Sequence, residues 1–204
     1  MSFPVDLTAA LTGASVSQLQ RWRSTDLLRP EEQTRPSVLY SFRDVVALRT
    51  FVRLRSETSL QKIRKALTGL RDLDLTEHPS RYQLHTDGDS VFLVEGEQAV
   101  DLVQRPGQRV LLSLSDVFAA FQTRQGRQVT DFRHPRPLLS VREARVGGWP
   151  TIARTRVGYD SVAKLVLGGV EPAEVKRFYS SVTAEAARDA VDFYQEVHRT
   201  RRRA

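Results

Sequence analysis

The feature that most constrains this 204-residue chain lies near its start, where Asp6 to Leu28, DLTAALTGASVSQLQRWRSTDLL, reads as two short helices broken at one glycine. Leu7, Ala10 and Leu11 share one face of the first helix, and Thr12-Gly13 ends it. Ser15 is placed to cap a second helix that turns Val16, Leu19 and Trp22 or Arg23 inward. This is the spacing of a helix-turn-helix. The opposite face of the second helix carries Ser17, Gln18, Gln20, Arg21 and Arg23. Gln and Arg can bond bidentately to base edges, and a helix fits the major groove, so that face has the chemistry to read duplex DNA. Two amphipathic helices with a glycine between them also occur in bundles that bind nothing, and the flanking sequence has to decide.

The flanking sequence favours the first reading. Leu27-Leu28-Arg29-Pro30 stops the second helix, and Glu31 to Leu39 is polar and bounded by prolines, which predicts a small hairpin wing carrying Arg29 and Arg35. Ser41 then caps a helix with Val45, Val46, Leu48, Phe51, Val52 and Leu54 as its stripe. A fourth helix starts at Thr58 or Ser59 with Leu60, Ile63, Leu67 and Leu70. Taken together, Leu19 to Pro30, Tyr40 to Leu48 and Ser59 to Leu67 resemble the winged helix of MerR-type regulators over about residues 3 to 71. The chain departs from that pattern in three places. Leu19-Gln20-Arg21-Trp22 stands where the family has Leu-Arg-Tyr-Tyr, Asp26 where it has a glycine, and Val38 where it has a wing arginine. The expected roles are base contacts from the second helix, with Gln18, Gln20 and Arg21 foremost and Ser17 beside them, and phosphate contacts from Arg23, Arg35 and Arg43.

Charge supports this assignment. The net +7 is unevenly distributed: residues 1–71 hold 12 Lys and Arg against 6 acids, residues 72–140 hold 7 against 10, and residues 141–204 hold 12 against 8. In the last segment Arg199, Arg201, Arg202 and Arg203 account for the whole excess. A basic N-terminal domain is what counterion release from a phosphate backbone requires. The chain has no cysteine, so it has no thiolate metal site, which argues against a metal- or redox-sensing regulator of the MerR type. His78, His85, His134 and His198 are scattered without metal-ligand spacing and are expected in surface or packing roles. No signal-like or membrane-length apolar run is present, and a cytoplasmic location is expected.

The middle, residues 72–137, changes character. Tyr82 to His85, Val91 to Val94, Ala99 to Val103 and Arg109 to Ser113 lean towards strands, separated by Asp87-Gly88-Asp89, Glu95-Gly96-Glu97 and Arg105-Pro106-Gly107-Gln108. A short antiparallel sheet is expected, closed by a helix over Ser115 to Arg124 with Val117, Phe118 and Phe121 inward. Gln125 to Pro137 reads as a linker or extended connector.

Residues 138–198 predict strands at Leu138 to Val141 and Thr151 to Val157, then three short helices: one capped by Asp160 or Ser161, one opening at Glu171-Pro172, and one from Ser181 or Thr183 with Ala187, Val191 and Tyr194 inward. So small a homeodomain-like unit buries little alone, which leaves its strands looking for a partner. Gly147-Gly148-Trp149-Pro150-Thr151-Ile152-Ala153-Arg154-Thr155-Arg156-Val157 and the helices after it resemble a small domain, long of unknown function, found in many bacterial VapB-type antitoxins. Its hallmark strand Gly-x-Pro-x-Ile-x-Gly-Thr-Arg-Ile has Arg154 in place of the second glycine, and Tyr179-Ser180 replaces the closing Tyr-Pro. Arg156 is expected to anchor the strand to the helices rather than to meet a ligand.

The expected class is therefore mainly α with a β-rich middle: a winged helix-turn-helix, a short sheet, and a strand plus three helices, with a basic tail at 199–204. No phosphate loop, nucleophile elbow or paired-histidine motif suggests an enzyme, and no cofactor is implied. Two functions fit. The first, implied by the second resemblance, is a type II antitoxin that neutralises a VapC-like ribonuclease and binds operator DNA as a homodimer. The second is a stand-alone MerR-like regulator whose middle and C-terminal parts bind a ligand or dimerise. For the tail, Arg199, Arg201, Arg202 and Arg203 are either a flexible arm into the acidic site of the nuclease or a source of nonspecific nucleic-acid affinity.

Overall fold

The computed structural model describes residues 2–33, 38–95, 98–104, 106, 109–110 and 117–202. It is mainly helical, with small antiparallel sheets. The N-terminal part runs β1 Phe3–Pro4, α1 Val5–Thr12, α2 Val16–Ser24, β2 Glu32–Gln33, β3 Val38–Tyr40, α3 Phe42–Glu57 and α4 Leu60–Asp72. Local chemistry sets these boundaries. Gly13 ends α1 in the left-handed region at φ 83°, and its N–H donates to the Ala9 carbonyl. Ser15 caps α2 and Ser41 caps α3, each in a reciprocal capping box, and the Ser59 hydroxyl accepts from Lys62 N–H at the start of α4. The wing expected between the helices is the β2–β3 pair, with Glu32 opposite Leu39 and Gln33 opposite Val38. The N-terminal β1 adds a third strand to it, Phe3 opposite Tyr40.

A 3₁₀ turn at Pro79–Arg81 leads into a four-stranded meander of β4 Leu84–Thr86, β5 Val91–Glu95, β6 Gln98–Asp101 and β7 Arg109–Val110, the sheet anticipated from the hairpin signals. The helix expected over 115–124 is not found among the described residues of that stretch. Residues 117–120 form turns, and Phe121–Gln122 is a strand, β8, paired antiparallel with β9 Gln128–Val129. Gly126 at φ 76° supplies the tight turn between them. Residues 128–136 are likewise not a loose connector. Val129, Phe132 and Pro135 are buried, and Arg136 is paired with Asp192 and Glu196.

The C-terminal part comprises β10 Leu139–Ser140, β11 Thr151–Ile152, α5 Tyr159–Leu167, a 3₁₀ helix at Pro172–Arg177 where a second α-helix was expected, and α6 Ala184–Arg202. β10 and β11 pair with each other, Leu139 opposite Ile152 and Ser140 opposite Thr151. α5 starts earlier than expected, with Gly158 rather than Asp160 or Ser161 before it, because the Asp160 carboxylate accepts from the Trp149 indole instead of capping. The buried stripe of α6 is Ala186, Ala187, Ala190, Phe193 and Val197, while Val191 and Tyr194 are half-buried. α6 continues well past Tyr194, so the tail is helical through Arg202 rather than an unstructured arm. Arg156 is exposed, and among the described residues no hydrogen bond or ion pair of its side chain supplies the expected anchor.

One apolar core joins the three regions, from Phe3 and Leu7 through Leu84 and Leu102 to Val162 and Phe193. α6 packs on α1 as well as on α5. The Trp149 and Phe3 rings lie 5.8 Å apart, and Gly148 at φ 84° lies against the Phe42 ring, where a Cβ would come within 2.1 Å. Each fully buried Leu, Val or Phe at these seams contributes roughly 1.5–3 kcal/mol. No helix among the described residues is long and apolar enough to cross a membrane.

Candidate nucleic-acid interface

Leu19 and Trp22 drive one side of α2 into the core, where Trp22 meets Phe51 edge-on at 6.5 Å between centroids. A helix buried along that stripe presents the opposite one, and Ser17, Gln20, Arg21 and Ser24 are exposed. Gln18 and Arg23 are half-buried on the flanks. The Gln18 side-chain oxygen accepts from Ser15 N–H at 2.8 Å, so the acceptor that could have read a base is committed to the helix cap. Arg43 is exposed at the start of α3 but bound to Glu31, and Arg29 is bound to Asp26. The Arg43 and Ser41 hydrogen bonds hold the Glu31 carboxyl below its usual range. Arg35 lies outside the described residues, as does Arg203, and the side chains of Arg201 and Arg202 also lie outside them. Asp26, which stands where the MerR pattern has glycine, takes φ 57°, and Arg154, which stands where the second domain has glycine, takes φ 62°.

The Glu31–Arg43 pair belongs to a network that fastens the wing to α3. Asp44 is fully buried; its Oδ2 accepts from Ser41 N–H at 2.8 Å and Glu31 N–H at 3.0 Å, and its Oδ1 lies 3.2 Å from His78 Nε2. Glu31, Asp44 and His78 offer three ligand atoms within 4.8 Å of one another, the one such grouping among the described residues. All three are hydrogen-bonded within the protein, Glu31 to Arg43 and Ser41, Asp44 to the Ser41 and Glu31 amides, and His78 to Asp44 and Ser80, and the Asp44 carboxylate also lies at the positive end of α3. His78 thereby ties the middle region to the winged helix.

Sequence periodicity did not reveal Arg49. This α3 residue is completely buried, and its guanidinium donates to five main-chain carbonyls: Leu11 and Val117 at 3.2 Å, Phe118 at 3.3 Å, and Ala119 and Thr130 at 2.8 Å. It also lies 4.7 Å from the Phe121 ring centroid. The carbonyls of 117–119 that a helix over 115–124 would have spent on its own ladder are spent on Arg49, which explains the strand-and-turn conformation found there. The hairpin β8–β9 is thereby fixed against the helix-turn-helix. Arg127 donates to the Gly13 carbonyl, Arg124 donates to the Ser56 and Glu57 carbonyls at the end of α3, and Val129 packs on Gly13. The available signal was Thr123-Arg124-Gln125-Gly126-Arg127 between Phe121 and Val129, a polar glycine turn between apolar residues.

Two clefts of about 450 and 460 Å³ flank the start of α2 and share the ridge Gly13, Ser15, Ser17 and Arg127. The first runs between α2, the end of α3 and the hairpin tip and includes Arg55, Arg124 and Gln125. The second runs between the α1–α2 turn, the hairpin and the end of α6 and includes Glu196 and Arg199. The sequence thus placed Arg199 in a tail, and the fold places it beside the helix-turn-helix.

Two family models match the chain: MerR HTH family regulatory protein over residues 4–70, and a protein of unknown function, DUF433, over residues 140–194. No curated protein matches it. The crystal structure of Rv2018 from Mycobacterium tuberculosis is similar in fold, with a TM-score of 0.56 and 15% identity over 93% of this chain and 96% of that one. The chain therefore combines an N-terminal helix-turn-helix of the MerR family with a C-terminal DUF433 domain.

Proposed function

We propose that this protein is a transcription regulator that reads operator DNA through α2, and that it does so as the antitoxin of a type II pair whose partner is a VapC-like ribonuclease. The DNA reading rests chiefly on one observation: α2 is anchored by Leu19 and Trp22 with Ser17, Gln20, Arg21 and Ser24 turned outward, within a segment matching MerR-family regulators. Gln20 and Arg21 carry the base contacts; Ser17, Gln18, Arg23, Arg35 and Arg43 assist or meet phosphates. The protein acts in the cytoplasm as a homodimer, since one short recognition helix reads only a half-site. The antitoxin reading is supported by the resemblance of residues 138–194 to the VapB-associated domain. The exposed Leu167 and Phe178 of that domain supply apolar surface for a protein partner.

Titration of the purified protein with duplex from its own upstream region tests the first part. Gln20→Ala or Arg21→Ala should cost about 1–3 kcal/mol at the cognate site and little elsewhere. Binding that is undetectable, or indifferent to salt, refutes it. Co-expression with a VapC-like nuclease encoded next to it tests the second part; a nuclease that stays active and does not co-purify refutes that part alone.

A further inference from the structure

We infer that the β8–β9 hairpin and the exposed end of α6 form, with the start of α2, a second DNA contact that grips the phosphate backbone beside the groove α2 reads. This inference rests on the operator-binding reading of α2. Both elements lie outside the MerR-matched segment, yet the fold brings them to its turn. The two clefts flank the ridge from Gly13 to Ser17, the edge of a helix-turn-helix that runs alongside the sugar-phosphate chain when the second helix enters the major groove.

The chemistry of the lining suits an extended polyanion. Arg55, Arg124, Arg127 and Arg199 come from three elements distant in sequence, α3, the β8–β9 hairpin and α6, and Glu196, already paired with Arg136, is the sole acid among the described residues lining either cleft. Arg124 and Arg127 use part of their guanidinium on main-chain carbonyls and remain exposed, which fixes the fork in place before any ligand arrives. The N-terminus of α2, nine residues long, adds its positive end between them. Neither cleft is enclosed, and the first is lined mostly by polar surface, which suits a passing backbone better than a small ligand. The position of Arg199, on a helix seated against α1 and next to the Val16–Ser17 step, favours DNA over a nuclease active site as its partner.

The test separates backbone contact from base reading and from toxin binding. In the full-length protein, Arg55→Gln and Arg199→Gln leave packing alone, because both side chains are exposed. Gln125, exposed at the hairpin tip, can be changed to Glu or to Lys without disturbing the arginines that hold the hairpin. Operator affinity is measured against salt concentration, with a scrambled duplex in parallel. Each arginine variant should lower the salt slope by about one and weaken both duplexes alike. Gln125→Glu should act in the same direction, and Gln125→Lys should tighten both duplexes. Wild-type protein that binds its operator steeply with salt, but with all four variants unchanged, overturns this inference and leaves the α2 reading standing. Loss of nuclease inhibition by Arg199→Gln with DNA binding intact also overturns it, in favour of a toxin-binding arm. Absence of any duplex binding by the wild type removes both readings together.

Discussion

Arg49→Met asks how much of the fold depends on one buried cation. The arginine is 0% exposed and donates to five carbonyls from α1 and from the 117–130 segment. Methionine fills a similar length and removes every donor. A carbonyl left unsatisfied in a dry interior costs about 1–3 kcal/mol, but relaxation and water entry recover part of that, and the desolvation cost of the guanidinium itself disappears. The net expectation is the range for breaking a buried charged network, about 3–5 kcal/mol. For a chain of this size that is a drop of roughly 6–20 °C in melting temperature. Arg49→Lys keeps the charge with three donors in place of the planar fork and loses the contact over Phe121, so it should fall between the two. Chemical denaturation gives the free energies, and hydrogen exchange reports on residues 117–130, which should lose protection before α3 does. A Met variant within about 1 kcal/mol of the parent refutes the reasoning, as would a destabilised variant whose 117–130 amides remain as protected as before.

Arg154→Gly should stabilise the protein by about 0.5–1 kcal/mol, because a left-handed non-glycine residue costs about 1–2 kcal/mol and glycine returns part of that as unfolded-state entropy. An unchanged or lowered denaturation midpoint would show that Arg154 earns its strain through contacts elsewhere. Gly13→Ala should destabilise by about 2–4 kcal/mol, since its Cβ combines φ 83° with a 2.7 Å approach to both Val129 methyls; equilibrium unfolding checks it. Burial pushes the His85 imidazole below its usual pKa, so the unfolded chain takes up a proton first as pH falls. The neutral-His contribution is thus complete above the unfolded value of about 6.5 and is lost below it. Denaturation midpoints at pH 7 and pH 5 should differ less in His85→Asn than in the parent. Light scattering at tens of micromolar should show a dimer, and a monomer would defeat the two-fold reading.

Much of the helix-turn-helix could be read without a structure because its determinants are local. Gly13 must end α1, Ser15, Ser41 and Ser59 must cap, and apolar residues recurring three and four apart must share a face. Asp26 and Arg154 extend the point: both depart from the family residue, yet each keeps the left-handed backbone, because turn geometry is set by the spacing of the flanking elements. Local pattern failed at 115–124, where Val117, Phe118 and Phe121 satisfy a helical period equally well. The decision there came from Arg49, distant in sequence, whose donors claimed the carbonyls a helix needs. The same holds for the candidate site. The reading face of α2 is periodic and visible in the chain, whereas the placement of Arg124, Arg127 and Arg199 beside it depends on α6 packing against α1 and on Gly13 admitting Val129. Hydrogen-bond acceptors and apolar surfaces are offered by every segment, and only the folded core decides which distant donor or side chain reaches them first.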